Sequence, residues 1–449
     1  MAAEAPTILR HAGTVLAGQL AVMAFSMADT VVAGRYSSEA LAALSVGSAV
    51  FVSVFVALTG VVQGLLPVWA EMHGAGRPTE VGRAVRQALL YICVPAGVLG
   101  AAALLFPRPI LRWTDVPPAL QGDVEHYLAV LALALPATLL FRLYATLNQA
   151  LGKPQLVTWL QVGSVVVKVP LTVWFTFGGL GLAPMGVAGC AWATVADQVA
   201  VLAMAVWLLR SQALYRPLRL WEPMERPDGP MLVRFLRLGV PAGLGIAVEV
   251  TSFTLMALFI ARQGTVALAA HQVAANVGAV LYMVPLSLAI ASSSRASYWL
   301  GAAQPRRARQ AAWLGLRLAM VAAVVLAAAL AVLRSQVAGI YTGEAAVAAA
   351  AAALLGWVAL YHLADAVQTV CVFLLRSWQV TVSTLVIYSV LLWGLGLGGG
   401  LALAYRGMAR WPAWESPAAF WAAATLALML AAAVFPWMLR RAMRRVTPP

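Results

Sequence analysis

Charge is what this chain has least of. Asp, Glu, Lys and Arg together make up 10% of its 449 residues, where a soluble domain carries roughly 25%. That scarcity excludes an ordinary soluble fold. Lysine occurs only as Lys153 and Lys168, followed by Pro154 and Val169. The phosphate-binding G-K-[S/T] signature therefore cannot be formed, and ATP hydrolysis by that route is excluded. Cysteine is limited to Cys93, Cys190 and Cys371, each inside an apolar stretch and without C-x-x-C spacing. Neither a disulfide framework nor a thiolate metal site is expected, only packing. HExxH and G-x-S-x-G are missing too, so those hydrolytic chemistries have no foothold. Gly394 to Gly400 spells the letters of a dinucleotide fingerprint, but in an apolar run with no strand before it. It is read as a small-residue helix face.

What fills the chain is hydrocarbon. Hydrophobic residues make up 62%, and the mean hydropathy is +0.86. Apolar runs of about 20 residues suffice to cross a bilayer. They recur at 12–34, 45–72, 84–106, 126–150, 156–177, 186–209, 236–261, 272–299, 310–333, 346–375, 379–405 and 418–439. The first run reaches full spanning length without a small-residue cleavage pattern, so no cleaved leader is expected. The net charge of +14 would suggest nucleic acid in a soluble protein, but here the basic residues sort by connection. One side collects Arg10, Arg77, Arg83, Arg86, Lys153, the arginines of 210–237 and of 295–317, Arg376 and those of 440–445. The other holds only Arg35, Arg108, Arg112, Arg262, Arg334, Arg406 and Arg410, with Arg142 and Lys168 inside helices. Positive charge stays inside, so both termini are expected in the cytoplasm.

The chain also repeats itself. Ala40-Leu41-Ala42-Ala43-Leu44 returns as Ala267-Leu268-Ala269-Ala270-His271. Gly74-Ala75 with Pro78 returns at the same offset as Gly301-Ala302 with Pro305. The expected fold is an all-α membrane protein with twelve transmembrane helices in two pseudo-symmetric six-helix lobes. Residues 1–209 would form the first lobe and 236–449 the second. Between them lies a cytoplasmic linker over 210–235, where proline and charge together break helices. The stretch from Phe106 to Glu125 reads as an outside loop with an interfacial turn near Trp113.

Carboxylates inside hydrocarbon need a reason. Asp29, Glu249 and Asp365 sit deep in spans, Asp197 lies inside the sixth, and Glu71, read as structural, closes the second. Tyr361 and Asp365 are four residues apart on the tenth span, with Gln368 three further on. Gln272 and Asn276 are likewise four apart on the eighth. Together with Glu249 these oxygens could take a hard cation such as sodium at Glu249 and Asp365, or a proton. His271 and His362 are read as packing groups. Tyr282 and Phe253 are candidate cleft aromatics.

Those same residues carry a resemblance. Gly239-Val240-Pro241-Ala242-Gly243 leading to Glu249, then Gly264-Thr265, Ala269-Ala270-His271-Gln272 and Asn276, is similar to multidrug and toxic compound extrusion transporters. Met283-Val284-Pro285-Leu286-Ser287, Arg295, Asp365-Ala366 with Gln368, and Leu375-Arg376 continue it. In the first half Gly18-Gln19, Asp29-Thr30, Gly74-Ala75-Gly76, Gln149 to Pro154 and Gly186 to Cys190 also fit. The resemblance implies a two-lobed antiporter expelling cationic amphiphiles in exchange for sodium or protons. Glu249, Asp365, Tyr361, Gln272 and Asn276 would form its cation site, and Asp29 would be the first-lobe carboxylate for proton or substrate coupling. The departures are specific. Thr14 stands at the repeat partner of Pro241, where many members have a proline in the first helix. Lys168 and Thr172 flank Pro170 where members tend to have asparagines. Ser377-Trp378 follows Arg376 where a glycine is usual.

Lys168 either snorkels to an interface or needs a partner in mid-membrane, for which Asp29 or Asp197 is the candidate. Paired with Asp29 it would occupy the place of a bound cation, leaving coupling mainly to the second lobe. The expected protein is a monomeric, non-enzymatic, multi-pass exporter of small organic cations in a bacterial inner membrane. It would have no cofactor and no nucleic-acid partner. Two alternatives stand beside this. One is a lipid-linked oligosaccharide flippase of the same superfamily, which Lys168 and Arg142 keep open. The other is a polytopic transferase, for which the loop acids Asp115, Asp123 and Glu125 with His126 are the only candidates.

Overall fold

A backbone in hydrocarbon has no water to bond, so each span must satisfy its own amides as helix. The computed structural model describes residues 4–107, 118–179, 181–407 and 412–445. Twelve of its helices are long and apolar enough to cross a membrane. They are α1 (Glu4–Tyr36), α2 (Ser38–Gly74), α3 (Pro78–Leu105), α4 (Pro118–Ala150), α5 (Gln155–Phe177) and α6 (Val187–Ser211). The second six are α7 (Gly229–Ala261), α8 (Thr265–Gly301), α9 (Pro305–Tyr341), α10 (Ala345–Ser377), α11 (Val382–Tyr405) and α12 (Ala418–Arg445). The helices overshoot the apolar runs. α4 starts at Pro118 rather than 126 because polar residues such as Gln121, Asp123 and Glu125 continue a helix that hydropathy cannot see. The turn expected near Trp113, together with Asp115, Arg108, Arg112 and Arg410, lies outside the described residues.

Contacts divide the chain into two compact units. The N-terminal unit is Thr14–Gly243; the C-terminal unit is Leu244–Pro449 with Met1–Gly13. The division falls inside α1 and α7, whereas the sequence reading put it across 210–235. That polar stretch packs within the N-terminal unit, where Ala213–Leu218 forms a 3-10 turn. Arg86 of α3, buried, pairs with Glu225 and reaches Glu222 at 3.5 Å. Gln87 donates to the Arg226 carbonyl at 2.9 Å and accepts from the Asp228 amide at 3.1 Å. Gly82 makes this docking possible, since a Cβ there would lie 1.6 Å from the Leu218 carbonyl oxygen. Glu71 pairs with Arg234, a structural ion pair.

Small residues and proline shape the spans. α2 breaks at Gly64, where a Cβ would meet the Gly239 Cα of α7 at 2.7 Å, and resumes with Pro67 in its new first turn. π-helical turns occupy Leu89–Cys93, just before Pro95, and Val390–Gly399 of α11. The glycine-rich 394–400 stretch lies largely in the latter and packs on α12, where a Cβ at Gly400 would sit 2.8 Å from the Phe420 ring. In the C-terminal unit the Arg295 fork grips Glu4 at 2.6 and 2.9 Å and lies over the Trp299 ring at 4.7 Å. Cys93, Cys190 and Cys371 are buried free thiols.

Candidate functional site

Each unit holds one buried carboxylate centre, and the two are built differently. In the N-terminal unit, α5 buries Ser164, Lys168, Thr172 and Thr176 at four-residue steps, a polar stripe along one helical face. The Lys168 ammonium lies 2.8 Å from Asp29 Oδ2 of α1, and Thr172 donates to Oδ1 at 3.3 Å. Both charged groups are buried, and the ammonium also stands 5.0 Å above the Phe25 ring. Asp197 of α6 is 1% exposed. One of its oxygens accepts from Gln198 at 3.1 Å, and the other has no partner among the described residues. It lies within electrostatic reach of Lys168 but makes no ion pair with it. Beside this cluster is a cavity of about 210 Å³, walled by Phe25, Phe51, Phe55, Tyr127 and Phe141 and reached by Asp29, Lys168 and Arg142.

In the C-terminal unit, α10 presents Tyr361, Asp365 and Thr369 at four-residue steps, with Gln368 beside them; all four are buried. Thr369 donates to Asp365 Oδ1 at 3.4 Å and to Gln368 Oε1 at 3.0 Å. Glu249 of α7 is half-buried and close enough to Asp365 for the two carboxylates to act on each other. Tyr282 of α8 lies within reach of both, and Tyr388 of α11 stands beside Glu249. Three phenols and two carboxylates thus lie within reach of one another, and neither acid has an ion pair among the described residues. Arg376, further along α10, is buried and stacks on Phe373 at 4.3 Å.

The remaining residues singled out in sequence fall into two groups. Gln272 and Asn276 share a face of α8, but it is the exposed one. The Asn276 amide donates to the Gln272 carbonyl at 3.2 Å, and neither side chain hydrogen-bonds a carboxylate among the described residues. Phe253 and His271 pack on Trp421 at 6.0 and 5.9 Å, and Trp421 also meets Tyr361 at 5.5 Å. Sequence reasoning missed Thr369 and Tyr388. Thr369 was within reach, one helical step past Asp365. Tyr388 lies one helical step past Thr384 on the buried face of α11, a spacing that the sequence reading passed over. Among the described residues no group of three or more His, Cys, Asp and Glu side chains could hold a metal ion.

What this geometry can do is hold positive charge. Two carboxylates in a low-dielectric site need a cation or a proton to balance them, and the surrounding hydroxyl, amide and phenol oxygens suit a hard ion.

The sequence model of the MatE family matches the chain twice, over residues 15–174 and 241–400. The chain is 36% identical to the probable multidrug resistance protein NorM of Aromatoleum aromaticum over 443 residues, 98% of this chain and 94% of that protein. It is 32% identical to the multidrug resistance protein PmpM of Pseudomonas aeruginosa, covering 99% of this chain and 92% of that one. Among solved structures, a MATE protein in its straight conformation superposes with a TM-score of 0.88 at 16% identity, covering 99% and 97% of the two chains. The eukaryotic MATE transporter AtDTX14 gives 0.84 at 18% identity, covering 99% of each.

Proposed function

This chain belongs to the MatE family of multidrug efflux transporters, and from that premise we propose that it is an antiporter driven by sodium or proton entry. Its substrates would be amphiphilic organic cations, expelled by a monomer across a bacterial inner membrane, with both termini in the cytoplasm. The observation that carries the reading is the pair of half-buried Glu249 and buried Asp365, set among Tyr282, Tyr361, Tyr388 and Thr369, with no ion pair to either acid among the described residues. Such a pair has affinity for a mobile positive ion. An ion that binds one facing of the transporter more tightly than the other shifts the population between them. One charge moved through 100 mV supplies about 2.3 kcal/mol, comparable with the difference in substrate binding that must be driven.

The N-terminal carboxylate supports the same division of labour. Asp29 already holds an ammonium, so the chain supplies there the cation that the other centre takes from solution. A flippase for pyrophosphate-linked lipids would need several free cations around its cavity. Lys168 is committed to Asp29, which leaves Arg142 as the free cation among the described residues lining it.

The test is ethidium uptake into inverted vesicles under separately imposed sodium and proton gradients. Glu249→Gln and Asp365→Asn are each expected to abolish gradient-driven uptake. If the doubly neutralised protein accumulates ethidium at the wild-type rate, the reading fails.

A further inference from the structure

In the C-terminal unit, α9 and α12 each carry an outward stripe that changes character along its length. On α12, Leu426, Leu430, Ala433, Trp437, Arg440 and Arg444 follow at steps of four and three, all exposed on one helical face. On α9, Trp313, Arg317, Val321 and Val324 do the same, Trp313 half-buried and the others exposed. Each stripe is hydrocarbon at one end and guanidinium at the other, with an indole beside the charge. The charged ends meet: the Arg440 guanidinium lies 5.2 Å from the centre of the Trp313 ring, and that of Arg441 lies 5.7 Å from Trp437. Neither helix contains an Asp or a Glu. Arg317, Arg440, Arg441 and Arg444 make no ion pair among the described residues. Arg317 is the telling member. It falls inside the apolar run 310–333, about 10 Å past its start at about 1.5 Å per residue, and shares its face with Val321 and Val324. A guanidinium exposed at that depth is unfavourable unless it reaches an anion near the interface.

We propose that the arginine-tryptophan ends of these two stripes form a binding site for the phosphate of an anionic phospholipid, whose acyl chains lie along the apolar remainder of α9 and α12. Guanidinium groups match a phosphate through paired hydrogen bonds, and indoles suit the boundary between headgroup and hydrocarbon. Four guanidiniums without a counter-charge favour a negative headgroup over a zwitterionic one, whose ammonium they repel. The occupant is a lipid rather than a soluble phosphate ester because the arginines run without a break into Val321, Val324, Leu430 and Leu426, which a soluble ester would leave uncovered. The positive-inside rule puts this end in the cytoplasmic leaflet. The leaflet therefore rests on the orientation proposed above, while the site itself rests on one unit and does not depend on which ion drives transport.

The experiment is native mass spectrometry of the purified full-length protein after incubation in detergent with equimolar dioleoylphosphatidylglycerol and dioleoylphosphatidylcholine, lipids that share their chains and differ in headgroup charge. The wild type is expected to retain the glycerol lipid at least about tenfold more often than the choline lipid, given the attraction of each nearby arginine for a negative headgroup. Arg317→Gln combined with Arg440→Gln should bring the two lipids to within about threefold of each other. Removing two charges at the other end, Arg334→Gln with Arg406→Gln, should leave the ratio as in the wild type. Inorganic phosphate in excess should not displace the bound lipid. Equal retention of both lipids by the wild type would overturn the proposal. So would a ratio unmoved by the Arg317 and Arg440 substitutions, an equal fall in the distal variant, or displacement by inorganic phosphate. The side chains changed are exposed, and the wild-type comparison stands even if a variant does not fold. Because no gradient is involved, a failure here leaves the ethidium result untouched, and the reverse also holds.

Discussion

A single side chain separates the two carboxylate centres in kind. Lys168 and Asp29 are both buried and 2.8 Å apart, so each is the other's counter-charge. Removing one partner of such a pair leaves an uncompensated charge and costs about 3–5 kcal/mol, while removing both is far milder. Lys168→Met is therefore expected to lower the unfolding temperature of the purified protein markedly. Lys168→Met combined with Asp29→Asn should recover most of the loss, as read by tryptophan fluorescence on heating; a double variant no better than the single would contradict the pairing. At this scale the sequence was informative where polar residues fell at helical spacing. Asp365 with Tyr361 was legible by its step of four, and Lys168 by its need for a partner. Gln272 and Asn276 have the same spacing, yet periodicity cannot tell which face of a helix turns inward. Tyr388 follows Thr384 by one helical step on the buried face of α11, but spacing does not say that this face meets Glu249; the packing of α11 on α7 does that.

Between elements, glycines and one ionic clasp decide how closely things approach. Gly82 lets the 210–235 stretch lie on α3, and a methyl there would overlap the Leu218 carbonyl. Gly82→Ala is expected to loosen the stretch and speed its cleavage in limited proteolysis at least severalfold, leaving cleavage elsewhere unchanged. The same stretch should also respond to acid. The Arg86 guanidinium beside Glu225 holds its carboxyl below the usual carboxylate range, which for glutamate is near 4.3. A folded-state value lower than the unfolded one means that the stabilisation is present above the ordinary range. It is lost as pH falls through the lowered value. Hydrogen exchange over 219–228 should accordingly stay flat from neutral pH down to the ordinary glutamate range and rise only below it, after correction for intrinsic rates. Release of the segment at pH 6 would count against the clasp. The sequence could mark this segment as non-helical from its prolines. Where it docks depends on a missing methyl and a single arginine 139 positions away from its glutamate, a relation that local patterning does not contain.

For the molecule as a whole, duplication and asymmetry coexist. The family match falls on both halves, over 15–174 and 241–400, so they share one plan. Among the described residues, however, Glu249 and Asp365 of the second half have no ion pair, whereas Asp29 of the first half is held by Lys168. We expect Asp365→Asn to abolish gradient-driven ethidium uptake and Asp29→Asn to slow it by less than about tenfold. Equal loss in both would show that the halves share the coupling. Twelve spans were readable from hydropathy because the bilayer demands length and apolarity and little else. The division into units was not, since it cuts through α1 and α7, where the helix continues without any change in composition. That cut has a bearing on biogenesis. Glu4 finds its arginine 291 positions later in the chain. At ordinary elongation speeds the opening turn of α1 must wait on the order of tens of seconds before the fork that holds it has been synthesised.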